Sequence, residues 1–187
     1  MGLKISTIAA LPSNVERSYY LYILDYYNWD EPISNTLRNN FDKIAKFAAE
    51  NDSVVIQGIP ESHFYSELLS WESINGINPS EILPALMITT IHPKYFLEAH
   101  DRQYYGNVPE DKLIFIEIKK ICKTANDVID VIQKIMVDIQ NRKEIKDFKI
   151  KSELKKGIGK RLNECIILEP NIGGVGVNVN RIIDNFL

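Results

Sequence analysis

The chain has 187 residues, of which 45% are hydrophobic and 25% charged, and it carries a formal net charge of −3. That balance fits one globular domain able to bury its own core and excludes a disordered or fibrous chain. A pI near 5.7 leaves no electrostatic footprint for nucleic acid, and no apolar run reaches the ~18 residues of a membrane-spanning helix.

In chain order, residues 3–10 read as a first short strand, ended by Leu11-Pro12-Ser13-Asn14. Residues 18–27 read as an aromatic-rich strand around Tyr19-Tyr20-Leu21-Tyr22-Ile23-Leu24, a composition of high β-propensity. Asn28-Trp29-Asp30-Glu31-Pro32 breaks it, with Asp30 as a candidate N-cap and Pro32 in the first turn of a helix. That helix runs to about Glu50, with Leu37, Phe41, Ile44 and Ala48 on one face. Ser53-Val54-Val55-Ile56-Gln57-Gly58-Ile59 is a β-branched strand, and residues 61–71 form a short helix presenting Phe64, Leu68 and Trp71.

Leu83-Pro84-Ala85-Leu86-Met87-Ile88-Thr89-Thr90-Ile91 is an unbroken apolar run between prolines, the pattern of a strand buried on both faces. Pro84 has no N–H for a ladder and belongs at its first position. Residues 112–119 read as a further strand, alternating past Ile116 as its end nears a surface. Thr124 and Asp127 have the spacing of a capping box. They open a helix with Val128, Val131, Ile132, Ile135 and Ile139 on its inner stripe. From Lys146 the texture changes: residues 148–151 alternate like a strand, and the apolar runs at 165–168 and 175–179 flank a turn-rich centre, as in a hairpin.

Two cysteines, Cys122 and Cys165, lie far apart in apolar settings. This usage points to a reducing cytoplasm and not to a disulfide scaffold. No signal-peptide pattern opens the chain. Met1-Gly2-Leu3-Lys4-Ile5-Ser6 fits the formal N-myristoylation pattern, a short match that we read as chance. Heavy use of Ile, Asn and Lys suggests an AT-rich, bacterial genome.

The order strand, helix, strand, helix, strand, strand, helix over residues 18–143, with Pro84 heading the third strand, resembles the thioredoxin-like fold. The resemblance implies a central mixed sheet flanked by helices, and a cis proline at Pro84 facing the site. It divides the chain into a thioredoxin-like α/β domain at 1–145 and a C-terminal β-hairpin extension at 146–187 packed on it. The departure lies in the chemistry. Thioredoxins carry Cys-x-x-Cys where the first strand meets the first helix, because a helix N-terminus lowers a thiol's pKa. Here that junction is Tyr27-Asn28-Trp29-Asp30-Glu31-Pro32-Ile33-Ser34, without a cysteine. Ser34 is at most a hydroxyl relic of the nucleophile, and N-capping is the plainer role for it.

Glu117 and Lys119, at i and i+2 of a strand, have the spacing of PD-(D/E)xK nucleases, where alternation aims both at one metal and one phosphate. That class also needs an upstream acid, and the preceding strand, Leu86 to Ile91, has none; Asp101 sits in the connection and Asp111, the candidate, at the strand's lip. A solvated strand face explains the same pair. His92 at a strand end could serve as a general base. His92, Glu98, His100, Asp101 and His63 match no metal-ligand spacing, so no metal site is assigned. Gly157-Ile158-Gly159-Lys160-Arg161 lacks the spacing and final hydroxyl of a phosphate loop. Gly173-Gly174-Val175-Gly176 lacks the third glycine of a dinucleotide site. No cofactor follows from either. The aromatic group Tyr19, Tyr20, Tyr22, Tyr26, Tyr27 and Trp29 is denser than a core needs, and its outward subset makes a candidate protein-contact surface. The sequence therefore reads as a non-catalytic cytoplasmic accessory module that binds a partner protein through Tyr20, Tyr22, Tyr27, Trp29, Pro84 and His92. A divergent metal-dependent nuclease using Glu117, Lys119 and Asp111 is the alternative. A degenerate thiol-enzyme relative holding a small ligand beside Pro84 is a third.

Overall fold

In the computed structural model the described residues are 1–12, 14–25, 32–60, 62, 64–69, 82–93 and 113–156. Five strands are formed: β1 Gly2–Ile5, β2 Tyr19–Leu24, β3 Ser53–Gly58, β4 Ala85–Thr89 and β5 Leu113–Glu117. They make one mixed sheet in the order β1-β3-β2-β4-β5. β3 is parallel to both β1 and β2, whereas β4 is antiparallel to both β2 and β5. The helices are α1 Pro32–Asn39, α2 Phe41–Glu50, α3 Phe64–Leu69, α4 Ile118–Ile121, α5 Ala125–Gln140 and α6 Lys149–Lys156. The α/β class and the mixed sheet expected from the sequence are therefore present.

Side chains alternate across the sheet and divide the core in two. Tyr19, Leu21, Ile23, Leu86, Ile88, Ile114 and Ile116 pack with Leu37 of α1, Phe41 and Ile44 of α2, and the inner stripe of α5. Tyr20, Tyr22, Leu24, Val54, Ile56, Ala85, Met87 and Phe115 pack on the other side with Phe64 and Leu68 of α3 and with Ile8. β4 lies between β2 and β5, and all five of its residues are buried, as its unbroken apolar run implies. The Leu83–Pro84 peptide bond is cis, and Pro84 immediately precedes the strand.

Several expected boundaries are corrected. The first strand stops at Ile5, because Thr7 turns its hydroxyl to Ala9 N and caps a 3₁₀ turn over Ile8–Ala10. Glu67 of α3 holds that turn by accepting from Ile8 N at 2.6 Å. The long helix to Glu50 is two helices meeting at Asn40. The Asn40 side chain donates to the Thr36 carbonyl at 2.8 Å, the local bonding by which Asn competes with a helical backbone. Residues 118–121 and 149–156 are helical, not extended. In the second case an apparent alternation of Phe148 and Ile150 covered too few positions to separate a strand from a helix, and Lys151 is buried as well. The start of α6 is fixed from outside: the buried Asp138 of α5 accepts from Lys149 N and pairs with Lys143 Nζ at 2.7 Å. The hairpin expected at 165–179 lies outside the described residues.

Gly2 lets β1 sit close under α2. A Cβ there would clash with Ala45 Cβ and stand 3.2 Å from the Phe41 ring. Ala45 Cβ is fixed to the helix backbone and cannot swing away, so the helix itself must move. Gly2→Val is expected to cost ~1–3 kcal/mol, the range for overpacking. An unchanged denaturation midpoint would mean that β1 does not seat against α2.

The capping box of α5 forms as its spacing predicts. Asp127 Oδ2 accepts from Lys123 N and Thr124 N, each at 2.8 Å, and Thr124 Oγ1 accepts from Asp127 N at 3.3 Å. The Lys123 N–H, and next the Thr124 N–H, hold the Asp127 carboxyl below its usual range. The unfolded chain therefore binds more protons in the window between the two titrations, and stability rises with pH there. The contribution is present above the ordinary carboxylate pKa of ~4 and lost as pH falls through the lower folded value. Wild type is expected to melt above Asp127→Asn at neutral pH, with the gap closing on acidification. A gap independent of pH would mean that the carboxylate is not the group that matters.

Candidate functional site

The register Leu24↔Ala85↔Glu117 brings the ends of β2 and β5 beside the head of β4. Clefts in α/β sheets open outside the carboxyl ends of parallel strands, and here that end carries Asp25, Pro84 and Glu117. Asp25 directly follows β2 and is 2% exposed. Ser34, in the first turn of α1, donates from Oγ to Asp25 Oδ1 at 2.9 Å. Arg38, one turn further on the same face, places Nε 3.7 Å from Asp25 Oδ2. Positions i and i+4 share a helix face, which is why two α1 side chains can meet one carboxylate. A buried carboxylate is tolerated when it is hydrogen-bonded and paired. Arg38 supplies the charge while keeping part of its guanidinium in water and donating to Asn35 Oδ1. Ser34 lies inside a helix that begins at Pro32, so it is not the N-cap. Its hydroxyl is committed to Asp25.

Pro84 is buried at the same sheet end, and its carbonyl accepts from Ile118 N at 3.1 Å. Glu117 is the last residue of β5 and has no exposed surface. Lys120, one turn into α4, brings Nζ to 2.9 Å from Glu117 Oε2. The strand ends there and Lys119 is helical, so Glu117 and Lys119 do not share the strand face that a nuclease pair requires. The upstream candidate Asp111 lies outside the described residues, as do His63, Glu98, His100 and Asp101. Among the described residues no three of His, Cys, Asp and Glu are grouped to hold a metal ion.

The aromatic surface is corrected in part. β2 lies between β3 and β4 with both sheet faces covered, so all six of its residues are buried, including Tyr20 and Tyr22. Tyr20 OH accepts from Arg17 N and donates to Val15 O, each at 3.0 Å. Burial pushes the Tyr22 hydroxyl well above its usual titration range, with Tyr20 adding to the effect. These rings are core, not contact surface. Tyr27 and Trp29 lie outside the described residues. His92 is half-buried, edge-on to Tyr20 with ring centroids 5.5 Å apart. It follows the far end of β4 and packs on Tyr20, which pairs with Thr89, whereas Pro84 precedes Ala85, which pairs with Leu24 at the opposite end of β2. Pro84 and His92 therefore do not belong to one site.

Asp25, Arg38 and Lys120 are site residues that no sequence motif marks out. Arg38 offered a usable signal, since it falls four residues after Ser34 on a helix whose apolar face contains Leu37. Among the described residues no helix is long and apolar enough to cross a membrane. No family model, curated protein or solved structure matches the chain.

Proposed function

We propose that the chain is a thioredoxin-like domain without dithiol chemistry, a non-catalytic cytoplasmic module that binds a partner protein. The observation that carries this reading is the pairing of Ser34 with the buried Asp25 at the junction of β2 and α1. A thiol enzyme needs an accessible cysteine at that place, and residues 25–38 contain none. Cys122 is 1% exposed in the core and is no substitute. The element order, the mixed sheet and the place of Pro84 at the head of β4 support the family likeness. The sparse cysteines support a reducing compartment. With Tyr19, Tyr20 and Tyr22 in the core, Tyr26, Tyr27 and Trp29 remain of that aromatic group, and Tyr27 and Trp29 are the pair proposed for partner contact.

Two measurements test this. Reduced protein added to a disulfide substrate with an external reductant is expected to give no turnover above the reductant alone. Turnover that vanishes when Cys122 or Cys165 is replaced by serine would overturn the non-catalytic reading. Affinity capture from the source cells is expected to bring down one partner in stoichiometric amount. Tyr27→Ala with Trp29→Ala should weaken that capture at least tenfold, the loss of ~1.4 kcal/mol or more that a contact hot spot entails, with no change in melting temperature. Undiminished capture would remove the aromatic pair from the interface.

A further inference from the structure

We draw no further inference here: the strongest candidate, the cleft of about 230 Å³ between the α1–α2 break and α5, floored by Ile44, Ile129, Ile132 and Met136, is an apolar face and nothing in the structure shows what covers it.

Discussion

Leu86→Asp is expected to yield no folded protein. Leu86 is wholly buried, pairs with Ile23 on one side and Ile116 on the other, and faces the core under α1, α2 and α5. An aspartate there would lose its water with no cation on the neighbouring strands to replace it, at a cost of several kcal/mol. The lost burial of the leucine adds ~1.5–3 kcal/mol. Together these approach the ~5–15 kcal/mol by which a whole domain is stable. Leu86→Met, which nearly conserves volume, should cost less than ~1.5 kcal/mol and serves as the control. The contrast is read from soluble yield and from the near-ultraviolet circular dichroism of whatever is soluble. A soluble aspartate variant with a cooperative melt would take Leu86 out of the core.

The elements most legible in the sequence are those whose local pattern and tertiary role coincide. β4 could be read because a strand covered on both faces must be apolar throughout, and α5 because its stripe and capping box agree on one start. Legibility failed where tertiary contacts override local pattern. Tyr20 and Tyr22 looked like a surface because alternation normally leaves one subset outside, yet β2 is a central strand and neither subset faces water. The helix through Asn40 looked continuous because Leu37, Phe41 and Ile44 hold the 3.6-residue period across the break. At the candidate site, the cysteine-free junction was plain from residue types alone. The Asp25 cluster was not, since Ser34 and Arg38 lie nine and thirteen residues after Asp25 and meet it only once α1 packs on the sheet. Glu117 was misread for a related reason. Alternation past Ile116 suggested a strand continuing to a wet lip, but the chain turns helical at Ile118, and the turn brings Lys120, not Lys119, to the carboxylate.

That last pair gives an asymmetric expectation. Lys120→Met should destabilise more than Glu117→Gln, although both remove the same ion pair. The Glu117 side chain has no exposed surface, whereas that of Lys120 is 33% exposed. Deprived of its cation, the carboxylate cannot turn to water. Deprived of the carboxylate, the ammonium can. Removing one partner of a buried ion pair costs ~3–5 kcal/mol, and partial exposure of Lys120 brings the expected loss to roughly 2–3 kcal/mol. Glu117→Gln keeps the shape and a hydrogen-bonding group, so about 1 kcal/mol is expected. Chemical denaturation of the two variants gives the order directly, and a Glu117→Gln loss equal to or above that of Lys120→Met would mean that burial does not govern this pair. The same geometry bears on nuclease chemistry. The Glu117 carboxylate is buried and paired with Lys120, and Lys119 lies on α4 and not on the strand that carries Glu117. Purified protein incubated with DNA or RNA and Mg²⁺ or Mn²⁺ is therefore expected to leave both intact. Metal-dependent cleavage that disappears in Glu117→Gln, at a temperature where the variant stays folded, would restore Glu117 as a metal ligand and displace the binding-module reading.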